Sequence, residues 1–310
     1  MSLQSSIVYT NGAFAPYESV KVGLLTHALQ YGTGCFEGVR GYWNESQAEL
    51  YLLDLKEHYD RLAASARILF MHLPHTTDEL IEITTELVRR NAFRTNIYLR
   101  PFMFKCAEEI GVRLHDVPDQ FALVAVPFGR YVNAEHGLRV CTSAWRRIDD
   151  ATTPARAKVT GAYINSALAK SEALLSGFDE AIMLSADGHV SEGSAENIFV
   201  YRRGVLYTPD CSQNILEGVT RRTVIEIAQS LDIPVVERAI DRTELFIADE
   251  IFFTGTAIGI EPVASVDHRQ IGNGAFSVTR KILAEYQNCV LGRNASFAHR
   301  ITPVYGKGNE

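Results

Sequence analysis

The chain has 310 residues, 46% of them apolar and 22% charged, which suffices for one large globular domain or two ordinary ones with a sizeable core. Its net charge of −7, with no extended run of lysine or arginine, argues against a nucleic-acid backbone or an anionic lipid surface as partner. The longest apolar run, around residues 121–128, is far too short to span a bilayer, and no charged-then-apolar leader opens the chain.

Five cysteines (Cys35, Cys106, Cys141, Cys211, Cys289) are odd in number and form no CxxC pair, so free thiols in a reducing compartment, the cytoplasm, are expected. The nine histidines show no HxH or HExxH spacing, and His72 and His75 flank a proline in a loop-like stretch. No metal site is expected.

In chain order, residues 7–10 and 13–22 flank Asn11-Gly12, a dipeptide suited to the positive φ angles of a type I′ turn, and predict a hairpin. Residues 26–36 are helix-friendly as far as the glycines Gly32 and Gly34. Asp54 predicts the N-cap of a helix with the apolar stripe Leu55, Tyr59, Leu62, Ala66 and Leu69, and Arg61 lies off that stripe. A second amphipathic helix is predicted over 78–91, followed by buried strands over 96–104 and 120–126. Arg100 interrupts the first of these, where a buried charge needs an anionic partner.

Pro127 and Gly129 break both patterns, so the boundary is placed at 127–136, between a smaller N-terminal α/β domain (1–126) and a larger C-terminal domain (137–310). Beyond it, strands over 138–143, 180–184, 198–201, 205–207 and 250–253 alternate with helices over 161–176, 219–231 and 276–290. The expected class is α+β (mixed α/β), with no internal repeat.

Three residues and a phosphate cup carry the chemistry. Lys158 lies in a small-residue segment between a strand and a helix, so its amine can project from a strand end and condense with an aldehyde cofactor. Tyr163, five residues on, can return a phenol to the same cleft. Glu192, in a turn-rich segment after Asp187-Gly188, can set a carboxylate against a pyridine nitrogen and favour its protonated form. Gly218-Val219-Thr220 opens a helix whose unpaired first amides suit an anion, and Gly255-Thr256-Ala257 follows a strand with amides and a hydroxyl. Each residue taken singly has an ordinary reading as surface charge or packing. Their joint occurrence is what points to pyridoxal 5′-phosphate.

The same residues carry a resemblance. Tyr31-Gly-Thr-Gly-Cys-Phe36-Glu-Gly-Val-Arg40-Gly-Tyr42, Tyr98-Leu-Arg100-Pro, Ala157-Lys158 with Tyr163, Ser191-Glu192-Gly193 with Glu196-Asn197, Leu216-Glu-Gly218-Val219-Thr220-Arg221 and Thr254-Gly255-Thr256-Ala257 resemble the class IV aminotransferases, closest to the branched-chain ones. The resemblance runs from about residue 8 to the C-terminal tail. It implies the two-domain D-amino acid aminotransferase-like fold (fold type IV), with the cofactor on the larger domain, and a homodimer or higher homo-oligomer. It implies ping-pong transamination of leucine, isoleucine or valine with 2-oxoglutarate. Lys158 is then the catalytic residue and, with Arg61, Tyr163, Glu192, Val219, Thr220 and Thr256, a cofactor ligand. Tyr31, Phe36, Arg40, Tyr98, Arg100, Tyr131, Thr256 and Ala257 are the implied substrate residues, Arg100 taking the side-chain carboxylate of glutamate.

One stretch departs from the pattern. Where the branched-chain enzymes continue from Arg100-Pro into a short glycine-rich loop, this chain has Lys105-Cys-Ala-Glu-Glu-Ile-Gly-Val-Arg-Leu-His115. That loop borders the substrate entrance by resemblance, which keeps (R)-configured primary amines open as substrates. D-amino acids, aminodeoxychorismate lyase chemistry and a non-catalytic binding protein are the other readings.

Overall fold

The computed structural model describes residues 6–129 and 136–306. The chain divides into two units: Met1–Gly129 with Ala157–Gly161 and Asn288–Glu310, and Arg130–Arg156 with Ala162–Gln287. Two late segments therefore group with the N-terminal part, a division that pattern and punctuation do not foreshadow. Local pairing explains both. Residues Ile301–Pro303 form a strand on the first unit's sheet, and residues 157–161 are hydrogen-bonded to residues 32–36 of the same unit.

In the first unit, β1 (Ile7–Thr10) and β2 (Ala13–Pro16) form the expected hairpin, with Asn11 at φ 52° and Gly12 at φ 76°. A short helix α1 (His27–Tyr31) stops at Gly32, which has φ 67°, and β3 (Gly34–Phe36), β4 (Val39–Asn44) and β5 (Glu49–Leu53) follow. Helices α2 (Leu55–Ile68) and α3 (Thr77–Asn91) precede the long strands β6 (Ile97–Lys105) and β7 (Asp119–Pro127). With the chain's last strand, β17 (Ile301–Pro303), they build an antiparallel sheet in the order β17-β5-β4-β6-β7-β1-β2, and β3 pairs with β6. Helix α2 packs on α3 and β3, and α3 on β1 and β7. Leu50, Leu52, Tyr59, Leu62, Leu80, Leu87, Ile97 and Leu99 are buried. Gly41 on β4 admits no side chain, because a Cβ there would lie 2.6 Å from Ile97 and 2.8 Å from Leu50.

Helix starts follow sequence chemistry only in part. Thr76 and Glu79 form a reciprocal capping box at α3. Asp54 does occupy the N-cap position of α2, yet its side chain makes no capping bond. It sits at φ 50° and its carboxylate accepts from Arg300 Nη1 at 2.6 Å, both side chains being buried. A distant cation has outcompeted the local amides.

The second unit comprises β8 (Leu138–Thr142), α4 (Tyr163–Leu175), β9 (Glu180–Leu184), β10 (Val190–Gly193), β11 (Asn197–Arg202) and β12 (Val205–Thr208). It continues with α5 (Val219–Ser230), β13 (Val235–Glu237), β14 (Glu250–Gly255), β15 (Gly259–Val266), β16 (Arg269–Gln270) and α6 (Ser277–Val290). The sheet order is β10-β9-β8-β15-β14-β11-β12-β13, with β16 on β15. Strand β8 runs parallel to both β9 and β15, and the sheet is otherwise largely antiparallel. Val140, Ile182, Ile198, Phe253 and Val263 belong to one buried cluster. Glu250 on β14 caps α6 from outside the helix, accepting from the amides of Val278 at 2.9 Å and Thr279 at 2.8 Å.

Strand β10 is not among the expected elements: the Asp187-Gly188 turn forms, with Gly188 at φ 95°, but the chain then pairs with β9 through Glu192 and Gly193. No helix among the described residues is long and apolar enough to cross a membrane. Replacing Arg300 with alanine takes the cation away from the buried Asp54 carboxylate, and is expected to cost about 3 kcal/mol of unfolding free energy. Denaturant titration checks this; the Asp54→Ala/Arg300→Ala double variant should lose clearly less than the two single losses added.

Candidate active site

The first unit contributes Lys158 and its surroundings. Residues 157–161 lie along residues 32–36: Phe36 N–H donates to the Lys158 carbonyl at 3.1 Å, and Gly161 N–H to the Gly32 carbonyl at 3.1 Å. Contact this close requires two glycines, since a Cβ on Gly32 would lie 2.7 Å from the Gly161 Cα. The Lys158 N–H donates to Ser65 Oγ on α2 at 3.1 Å, so the lysine main chain is held from both sides. Its Nζ stands 5.1 Å from the centre of the Phe36 ring.

Arg100 stacks on the same ring, with Cζ at 4.3 Å, and donates from Nη2 to Tyr98 Oη at 3.1 Å. It is exposed rather than interior, and no carboxylate pairs with it among the described residues. The expected anionic partner is not needed, because the guanidinium sits on an aromatic face in contact with solvent. Tyr98 occupies space left by Gly38, where a Cβ would fall 2.0 Å from the phenol oxygen. Arg40 is buried, donating from Nη2 to the Gly129 carbonyl at 2.6 Å, with Cζ 4.8 Å from the Phe128 ring. Tyr31 Oη accepts from Gly111 N–H at 3.2 Å, which ties α1 to the 106–115 loop. Arg61 on α2 forms a bidentate pair with the buried Glu37, Nε to Oε1 at 2.6 Å and Nη2 to Oε2 at 2.7 Å. Tyr131 lies outside the described residues.

The second unit contributes Glu192, Tyr163 and the loop ends. Glu192 is buried on β10, not in a turn. Its Oε1 pairs with Arg147 Nε at 2.9 Å, and its Oε2 accepts from Asn197 Nδ2 and from Leu216 N–H, each at 3.0 Å. Arg147 and Asn197 are thus site residues that sequence reasoning left without a role; Asn197 stood in a quoted motif, whereas nothing in the pattern singled out Arg147. Gly218 precedes α5 and makes no side-chain cap, and a Cβ on it would meet Asn197 Oδ1 at 2.0 Å. Val219 and Thr220, both buried, are the first residues of that helix. Thr256 and Ala257 lie in the tight turn between paired Gly255 and Gly259, and Tyr163 opens α4.

Glu196 is a further buried carboxyl. It fills space that Gly193 leaves open, since a Cβ there would lie 2.9 Å from Glu196 Oε2. Burial, seconded by the charge of Glu180 and opposed by the Ala195 amide and Lys170, pushes Glu196 up to about 8.

Each unit's donors suit groups of pyridoxal 5′-phosphate: an amine in the first, and in the second a phenol, a carboxylate bound by Arg147, Asn197 and an amide, and a helix start with no side-chain cap. Residues 34–266 match the family model of amino-transferase class IV. The chain belongs to the class IV aminotransferases. A probable branched-chain-amino-acid aminotransferase of Aquifex aeolicus is 44% identical over 308 residues, with 99% of each chain covered. Among solved structures, the branched-chain aminotransferase of Thermoproteus uzoniensis, crystallised with norvaline, superposes with a TM-score of 0.93 at 43% identity, covering 97% of this chain and 100% of that one. The branched-chain amino acid aminotransferase of Thermobaculum terrenum, in its PLP-bound holo-form, gives 0.94 at 34%, covering 98% and 100%.

In this class IV aminotransferase the Glu196 carboxyl stays protonated when folded over a pH range, from its usual 4.5 to about 8, in which the unfolded chain has released that proton. Its contribution to stability is therefore complete below the lower value and lost as pH rises through the upper one. Glu196→Gln should leave stability nearly unchanged near pH 5 and raise it by several kcal/mol, at most about 5, relative to the parent near pH 9. Thermal melts across that range read the difference, and parallel curves would refute it.

Proposed function

We propose that the chain is a branched-chain amino acid aminotransferase, moving the amino group of leucine, isoleucine or valine to 2-oxoglutarate in two half-reactions. The observation that carries this reading is the Phe36 ring, with the Lys158 amine and the Arg100 guanidinium both close over it. An aromatic wall suits an aliphatic side chain, and an exposed guanidinium resting on it suits the second carboxylate of glutamate. The near-full-length likeness to branched-chain enzymes supports it and favours it over (R)-amines, D-amino acids or a lyase.

Pyridoxal 5′-phosphate, when bound, supplies an aldehyde that condenses with amines and a ring that accepts the electrons left at the substrate α carbon. Lys158 takes the α proton and returns it on the other side of the transfer. Glu192, paired with Arg147, would set its carboxylate against the ring nitrogen. Tyr163 would donate to the phenolic oxygen. Arg61, Val219, Thr220 and Thr256 would hold the phosphate. Thr256 and Ala257 amides receive the substrate α-carboxylate, Tyr31, Phe36, Tyr98 and Tyr131 enclose the side chain, and Arg40 buttresses them.

We also infer assembly of identical chains in the cytoplasm. Leu24 is 82% exposed, Leu29 62%, Ile110 84% and Val112 76%, more apolar surface around one loop cluster than water favours. All five thiols are free, as a reducing compartment allows.

Lys158→Ala should keep its circular dichroism while losing turnover at least about 10³-fold. The visible absorption of the bound cofactor should respond to L-leucine and L-glutamate in the parent protein but not in this variant; retained turnover would sink the assignment. Arg100→Leu should raise KM for L-glutamate and 2-oxoglutarate about 10- to 100-fold, leaving the leucine half-reaction within about threefold, as expected when one charge-assisted contact is lost. Equal loss with both substrates would mean that Arg100 serves structure alone.

A further inference from the structure

Helix α2 carries an unusual polar stripe. His58, Arg61 and Ser65 stand three and four residues apart, hence on one face, yet His58 is only 2% exposed and Ser65 is fully buried. Ser65 receives the Lys158 N–H. His58 Nδ1 lies 2.7 Å from Glu37 Oε2; since the ionised carboxylate only accepts, the histidine must carry its proton there. Glu37 itself is fully buried, its N–H donating to the Pro101 carbonyl at 2.8 Å, and its two oxygens take the Nε and Nη2 of Arg61. Burial alone would raise the Glu37 carboxyl, but the charge and hydrogen bonds of Arg61 and the bond from His58 hold it well below the usual carboxylate range.

A guanidinium has five donors. Glu37 takes two of them side by side, Nε and Nη2. A carboxylate in that position also fixes the plane of the guanidinium and its χ angles, which a flexible arginine otherwise loses entropy to adopt. Ordinary helix-surface arginines have no such backing.

We propose that Glu37, with His58 behind it, is a positioning residue for phosphate recognition: its bidentate hold fixes the orientation in which the Arg61 guanidinium meets the phosphate of the cofactor. The proposal rests on the reading of Arg61 as a phosphate ligand. Glu37 touches neither cofactor nor substrate and acts only through Arg61. It also lies between Phe36 and Gly38 in the chain, so the same strand segment that backs the substrate wall aims the phosphate arm.

The test compares two probes on the full chain stripped of cofactor: pyridoxal 5′-phosphate and pyridoxal, which lacks the phosphate. Absorbance or fluorescence titration gives Kd for each, with no reference to activity. Glu37→Gln should weaken pyridoxal 5′-phosphate at least about 10-fold while pyridoxal changes less than about twofold, because only the oriented, charge-assisted contact is lost. His58→Phe, which removes the outer hydrogen bond but keeps a flat ring there, should move the same ratio in the same direction by about threefold. It stands in for Glu37→Gln should that variant fail to fold. Equal weakening of both probes, or no change in either, would overturn the positioning role. Arg61→Ala separates the two readings: if it leaves the ratio of the two constants unchanged, the phosphate assignment of Arg61 fails, whatever Glu37 does.

Discussion

A carboxylate taken out of water must be answered by a cation or by several hydrogen-bond donors, and that constraint shapes both units of this chain. Glu37 is answered by Arg61 and His58, Asp54 by Arg300, Glu192 by Arg147, Asn197 and the Leu216 amide, and Glu180 by Lys170 at 2.5 Å. These groups contribute less to net stability than to specificity of position. A buried ion pair roughly repays its own desolvation, while an arrangement that leaves one partner alone is severely penalised. The backbone around each pair therefore has few alternatives.

The consequence for the site differs between the units. In the first, α2 holds Arg61 in its own turn geometry and Lys158 through Ser65, four residues further along the same face. The spacing between Arg61 and the lysine main chain is thus set by one helical turn. In the second, Asn197 donates both to Glu192 and to the Leu216 carbonyl, and its oxygen fills the place of a Gly218 side chain at the start of α5. The Glu192 carboxylate and the start of α5 are thereby locked to one another. Each unit carries two of the proposed cofactor contacts at an internally fixed separation.

Local signals were legible wherever a residue acts on its neighbours in sequence. The Asn11-Gly12 turn, the amphipathic stripes of α2 and α3, the strands around Arg100 and Ala125, and the glycine opening α5 could all be read from spacing and turn chemistry. The residues proposed for the site were named through resemblance rather than through physics, because Lys158, Glu192 and Arg61 look individually like any surface charge. What could not be read depends on long-range pairing. Asp54 sits at a helix start, yet Arg300, 246 residues away, takes its carboxylate. Strand β17 and the segment 157–161 join the first unit through partners no local pattern announces. Arg147 gives no signal at all, since its meaning comes only from Glu192.

The segment 157–161 makes the clearest link between fold and chemistry. An amine that must move protons at one carbon has to swing its side chain while its main chain stays still. Here the Lys158 N–H and carbonyl are both bound, to Ser65 and Phe36, and the adjoining Thr160 hydroxyl bonds the Gly32 carbonyl at 2.7 Å. Glycines at 32 and 161 let the two stretches approach as closely as backbone permits. The four-carbon stem carries the amine out from this fixed main chain, and its tip stands 5.1 Å from the centre of the Phe36 ring, so where the amine can reach is set by where residues 157–161 are held.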